Sequence, residues 1–217
     1  MSTQNQNISS DQIVGLILAG GKSTRMNGNN KALLKLGNST LIEHVIMRLK
    51  NDLDTIILNA NEKPDVFSAY NLPLVKDTIV GFAGPLAGVL SAMQWAKQNK
   101  PSAKYILSVA ADTPFFPTVY AATMQNAMNT NEAHENQIAI VKDEDYWQPT
   151  FGLWPISLAN ELEYFLLNSD VKKVMAFAKQ HPLLGVAFEK PENVDPFFNI
   201  NTPQDLAKAE SILRENK

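Results

Sequence analysis

After a polar opening of a dozen residues, Met1 to Gln12, short apolar runs alternate with amphipathic stretches along the chain. Ile13 to Leu18 is strongly apolar and runs into glycines, which predicts a buried strand entering a loop. Leu41, Val45 and Leu49 share one helical face, with Ile42 and Ile46 beside it, so this stretch reads as an amphipathic helix. Thr55 to Leu58 predicts the next buried strand, and Leu72 to Val75 another. Pro85 to Ala96 has helical spacing, with Pro85 suited to a first turn. Tyr105 to Ala111 reads as a central strand stopped by Asp112-Thr113-Pro114. Further on the pattern predicts a helix around Val119 to Met128, a strand around Ile138 to Val141, and helices over Leu158 to Leu167 and Val171 to Lys179. The last helix is the best marked. Thr202 caps it, Pro203 fits its first position, and Asp205 completes a near capping box.

Strands alternating with helices imply parallel strands joined by right-handed crossovers. The expected fold is α/β: a single three-layer α/β/α domain over residues 13–217 with a mostly parallel, Rossmann-like sheet. Residues 1–12 read as a disordered lead-in. A chain of 217 residues, 45% of them hydrophobic, is long enough for one sizeable core. The net charge of −3 offers no broad surface for nucleic acid or an anionic membrane, so an anionic ligand must be held locally. Cysteine is absent, which excludes disulfides, thiolate metal sites and thiol nucleophiles. No apolar run approaches the roughly 20 residues that span a bilayer, and the polar opening lacks the order of a signal peptide. A cytoplasmic protein is expected.

Sheets of this kind bind ligands at the carboxyl ends of their strands. The segment there is Leu18-Ala19-Gly20-Gly21-Lys22-Ser23-Thr24-Arg25-Met26-Asn27-Gly28-Asn29-Asn30-Lys31. Paired glycines let backbone amides approach phosphate oxygens, and Arg25 and Lys31 add two cations. Gly21-Lys22-Ser23 imitates a P-loop, but that motif needs a glycine where Leu16 stands. The dinucleotide fingerprint fails for want of a correctly spaced third glycine. Glycine spacing alone would equally describe a plain strand-to-helix turn. Asp112, at the end of an apolar strand, suits a hard divalent cation such as Mg2+, or else an Asx turn capping the strand.

Leu-Ala-Gly-Gly-x-Ser-x-Arg-Met followed by Lys31 resembles the signature loop of the molybdenum cofactor guanylyltransferases, within the nucleotidyltransferase superfamily. The likeness continues in order through Asn59-Ala60-Asn61, Asp77, Gly84-Pro85-Leu86-Ala87-Gly88, Asp112-Thr113-Pro114, Gln148-Pro149-Thr150 and Asn199-Ile200-Asn201-Thr202-Pro203. It departs at Asn27, where the family usually has glycine, and at Asn30, where an acidic residue often precedes the lysine. The resemblance implies a fold of the nucleotide-diphospho-sugar transferase type and transfer of GMP from GTP to molybdopterin, with magnesium. It implies that Leu18, Ala19, Gly20 and Gly21 line the nucleotide, with Arg25 and Lys31 on its phosphates. Asn59 and Asp77 are placed against the guanosine, Asp112 on the metal, and Asn199 and Asn201 near the acceptor. Arg25, Lys31 and Asp112 become the catalytic set.

Lys172 and Lys173 could meet the acceptor's phosphate or form a solvated helix face. Trp147, Trp154, Phe197 and Phe198 could border the pterin or fill the core. His44, His134 and His181 are scattered without metal-ligand spacing, and no serine–histidine–acid set stands out. That suits nucleotidyl transfer, in which the acceptor's own phosphate attacks and the protein supplies positioning and charge. A protein that delivers molybdopterin, or a molybdoenzyme chaperone, is the partner expected from the resemblance. Two other readings remain at this point: a nucleotidyltransferase using CTP or another triphosphate with a different phosphorylated acceptor, and a non-catalytic nucleotide-binding protein of the same fold.

Overall fold

The computed structural model describes residues 7–20, 30–61, 64–79, 81, 84–131, 136–191 and 194–215. Gly21, Arg25 and Asn27 lie outside them.

The first strand, β1 (Ile13–Leu18), alternates its apolar side chains between two cores. Ile13 and Ile17 face one, Val14 and Leu16 the other, as a strand buried on both faces requires. A two-residue hairpin, β2 (Lys35–Leu36) and β3 (Ser39–Thr40), turns through Gly37, whose φ of 61° suits glycine. Thr40 then opens α1 (Leu41–Leu49) with a full capping box, its side chain accepting from Glu43 N–H while Glu43 reaches back to its own N–H. The chain continues through β4 (Ile56–Asn59), β5 (Leu74–Val75), α2 (Pro85–Asn99), β6 (Tyr105–Ala110) and α3 (Tyr120–Thr130). It ends with β7 (Ile138–Asp143), β8 (Tyr146–Pro155), α4 (Ala159–Asn168), α5 (Val174–Ala178), β9 (Leu183–Val186) and α6 (Pro203–Glu215).

Among the described residues seven strands form one sheet in the order β5-β4-β1-β6-β8-β7-β9. α1 and α3 cover one face; α2, α4 and α5 cover the other. The three-layer, mostly parallel architecture expected from the sequence is the one observed. Two of its strands are not among those expected: β9, which pairs parallel with β7, and β8, which runs antiparallel to both β6 and β7. Its ten residues carry Gln148-Pro149-Thr150 and Gly152, which break the apolar pattern and hide the strand. Pro149 is tolerated because it falls where the β7–β8 register shifts. Gly152 is required there, since a Cβ would lie 2.8 Å from the indole of Trp154. α5 is also shorter than expected, with Lys172 and Lys173 ahead of it.

The stretch from Ile8 to Gln12 is docked on the domain, contrary to the expectation of disorder. Ile8 is buried, and the side chain of Asn129 on α3 accepts from its N–H (2.7 Å) and donates to its carbonyl (3.1 Å). Ser10 to Gln12 form one 3-10 turn, and Gln12 accepts from Lys104 N–H.

At α6 the expected cap is present in full. Asp205 N–H donates to Thr202 Oγ1 (3.1 Å), and the Asp205 carboxylate accepts from the N–H groups of Thr202 (2.8 Å) and Asn201 (2.9 Å). These bonds, first that from Asn201, hold the Asp205 carboxyl below its usual range, and Thr40 does the same for Glu43. A depressed folded-state pKa contributes stability above the unfolded value, and that stability is lost as pH falls through the folded one. Asp205→Ala should therefore lower the thermal midpoint at pH 7, with the gap to the parent closing below about pH 4. Thermal melts from pH 7 to 3 check this, and a gap independent of pH would contradict it.

Candidate functional site

β1 and β6 are parallel neighbours, with Leu18 opposite Ala110, and Ala111 N–H donates to Leu18 O (3.0 Å). Leu18, Ala19 and Gly20 therefore leave the sheet beside Asp112, at the edge where α/β sheets hold ligands. On the other side Ala19 N–H donates to Asn59 O (2.9 Å), so the end of β4 adjoins the same loop. The start of α2 closes in from a third side. A Cβ on Gly88 would stand 2.4 Å from Asn59 Oδ1 and 2.6 Å from Leu18 Cδ2. Gly88 is thus the condition for α2 lying this near the loop.

Lys31 begins a short 3-10 turn whose cap is Asn30, its side chain accepting from Ala32 N–H (2.9 Å). Asn caps as well as the acidic residue expected there. Ala32 and Leu33 are held in the core, and Lys31 extends to the strand edge. Its Nζ donates to Asp112 Oδ2 (2.5 Å), Asn201 Oδ1 (2.5 Å) and Asn199 Oδ1 (3.1 Å). Lys31 and Asp112 are both mostly enclosed, with side chains 17% and 23% exposed. The two asparagines arrive there by alternation. Ile200 is fully buried between them and donates its N–H to Asp112 O (2.9 Å), so Asn199 and Asn201 turn outward on either side. Ile200 packs with Leu36, Leu41 and Ala209 in a third small core, which ties the β2–β3 hairpin to α6.

A second polar set lies across the end of β1. Asn59 is buried, and its Nδ2 donates to Val75 O (3.1 Å) and Asp77 Oδ1 (2.9 Å). Asn61 Nδ2 donates to Asp77 Oδ2 (2.8 Å), and Asp77 N–H donates to Asn61 Oδ1 (3.0 Å). The structure thus joins Lys31, Asp112, Asn199 and Asn201 in one set and Asn59 and Asp77 in another. Chemically it offers a cation, a carboxylate and amide oxygens on one side of the end of β1, and an ordered carboxylate on the other.

A family model described as MobA-like NTP transferase domain matches residues 15–183. A molybdenum cofactor guanylyltransferase of Rhodopseudomonas palustris (strain HaA2) is 41% identical over 201 residues, covering 92% of this chain and 92% of that protein. Another, from Mesorhizobium japonicum, is 38% identical over 204 residues, 93% of this chain and 96% of its own. This chain belongs to the molybdenum cofactor guanylyltransferase family. Among solved structures, molybdopterin-guanine dinucleotide biosynthesis protein A from Archaeoglobus fulgidus superposes with a TM-score of 0.72 at 23% identity, over 93% of this chain and 98% of that one. A 4-diphosphocytidyl-2C-methyl-D-erythritol synthase from Anaerococcus prevotii gives 0.64 at 18%, over 93% and 96%. These two likenesses establish the nucleotidyltransferase fold.

Within the family frame, Lys172 and Lys173 are exposed. They lie in the segment between the end of α4 and the start of α5. Of the aromatics, Trp154 and Phe197 are core residues, while Trp147 and Phe198 are half-buried. Two supports were not anticipated from sequence. Arg48 on α1 donates through Nε to Pro114 O (2.6 Å), pinning the loop behind Asp112, and burial lowers its pKa. Asn61 orders Asp77. Arg48 gave no signal because one arginine in an amphipathic helix looks like surface.

Gly88→Ala drives a methyl into Asn59 and Leu18. It should cost about 1–3 kcal/mol of stability, as overpacking does, and weaken nucleotide binding with it. Denaturant unfolding and a nucleotide titration check this; an alanine variant as stable as the parent would contradict the close approach.

Proposed function

We propose that this enzyme transfers GMP from GTP to the terminal phosphate of molybdopterin, yielding molybdopterin guanine dinucleotide and pyrophosphate. The observation that carries the reading is the convergence of Lys31, Asp112, Asn199 and Asn201 beside the carboxyl end of β1, in a chain whose relatives bear the guanylyltransferase name. An oxygen of the acceptor's phosphate attacks the α-phosphorus of GTP. A new O–P bond forms, the α–β bridge breaks, and its electrons leave with pyrophosphate. No protein nucleophile is required, so the chain's work is to position and neutralise.

In this reading Leu18, Ala19, Gly20 and Gly21 line the nucleotide, and Arg25 and Lys31 take its phosphates. Asp77, backed by Asn59, accepts from the guanine N–H edge. Asn199 and Asn201 face the acceptor, and Lys172 and Lys173 supply positive charge to its phosphate. Asp112, a carboxylate at the strand edge, would suit a hard cation such as Mg2+ once Lys31 turns from it to the phosphates. Among the described residues no group of three or more histidines and acids gathers. Asp112 would therefore hold magnesium jointly with the substrate's phosphates, and the ion's contribution when bound is neutralisation of the triphosphate. No helix among the described residues is long and apolar enough to cross a membrane. With GTP as substrate the enzyme works in the cytoplasm, beside a molybdopterin-delivering protein or molybdoenzyme chaperone.

Incubation of the protein with GTP, magnesium and molybdopterin should release pyrophosphate and form the dinucleotide. Thermal stabilisation by CTP over GTP would overturn the guanine assignment. Asp112→Ala should reduce turnover by about a hundredfold or more while GTP binding largely persists; undiminished turnover removes Asp112 from its role. Lys31→Ala should raise the GTP dissociation constant, and an unchanged constant refutes the phosphate contact.

A further inference from the structure

Asp77 is held with more bonds than a loop carboxylate needs. Asn59 Nδ2 donates to Oδ1 and Asn61 Nδ2 to Oδ2, at 2.9 and 2.8 Å, while the Asp77 N–H donates to Asn61 Oδ1 at 3.0 Å. The last two bonds close a ring between the residues and fix the rotation of the carboxylate about its own axis. Each carboxylate oxygen can accept two hydrogen bonds. One asparagine proton on each leaves one acceptor position on each, side by side.

Two adjacent acceptors complement two adjacent N–H donors. Guanine presents such a pair, its ring N1–H and 2-amino group. Cytosine and adenine set an acceptor beside their amino group, and uracil flanks its N–H with carbonyls. The two asparagines contribute differently. Asn59 is buried and spends both amide protons, on Val75 O and on Asp77, so it anchors the clamp to the sheet. Asn61 is exposed, and its oxygen and one of its protons are committed to Asp77.

We propose that Asn61 is a positioning residue for guanine selection: it aims both oxygens of Asp77 at the base without itself binding the nucleotide. This rests on the reading of Asp77 as the guanine acceptor. Without Asn61 the carboxylate keeps only its anchor from Asn59 on Oδ1, so Oδ2 swings furthest, and Oδ2 is the oxygen we assign to the 2-amino group.

The test compares GTP with inosine triphosphate, which lacks the 2-amino group and engages only the N1–H. Dissociation constants are measured with magnesium on the full chain and on Asn61→Ala, Asn61→Asp and Asp77→Asn. Both Asn61 variants should bind GTP about tenfold more weakly, with inosine triphosphate changed less than about twofold, so that the preference between the two collapses. Their thermal midpoints should stay near the parent's, Asn61 being exposed. Equal losses for both nucleotides would mean that Asn61 touches ribose or phosphate or merely shapes the turn, and would overturn the proposal. No loss for either would do the same. Asp77→Asn separates the two layers of argument. If it leaves the preference for GTP over inosine triphosphate unchanged, the guanine-acceptor reading fails. If it abolishes the preference while the Asn61 variants keep it, only the positioning role falls.

Discussion

An ammonium group has three protons to give, and Lys31 gives them to oxygens brought from widely separated parts of the chain. Asp112 follows a central strand; Asn199 and Asn201 precede the last helix. An unpaired charge in so enclosed a place is costly, so cation and carboxylate each require the other. The folding of the two ends of the domain is coupled through that requirement. If Asn199 and Asn201 were displaced, Lys31 would lose two of its three acceptors.

Apolar packing makes the convergence possible. The small core of Leu36, Leu41, Ile200 and Ala209 fastens the hairpin after Lys31 to the segment bearing the asparagines. Arg48 fixes the far side of the Asp112 loop. The polar groups are thus held by shape as well as charge, which keeps a site of hydrogen-bonding side chains in a single arrangement.

Much of this was legible in the sequence because the signals were local. Ile13 to Leu18 and Tyr105 to Ala111 are apolar runs of strand length, and Thr202-Pro203-Asp205 is a cap written in consecutive residues. The residues expected at the nucleotide were named from the ordered likeness to a family, not from any local pattern. β8 was not, because its polar amino half, Pro149 and Gly152 erase the period of two, and its direction depends on partners far away in the chain. Ile8 looked like tail because what holds it is Asn129, 121 residues on. Lys172 and Lys173 were placed inside a helix because apolar spacing carried through them, yet α5 starts only at Val174.

The reversed strand has a consequence for how such a site changes in evolution. Where strands are parallel, each loop at the ligand edge runs on into a helix lying on the sheet, and lengthening it disturbs a packed layer. β7 and β8 instead meet at that edge in a hairpin turn, Glu144-Asp145, which takes up a φ of 49° and returns directly to the sheet. Insertions there are absorbed at little entropic cost. One half of the rim, beside Lys31 and Asp112, is therefore bound to the packed helical layers, while the other is free to lengthen with little disturbance to the core.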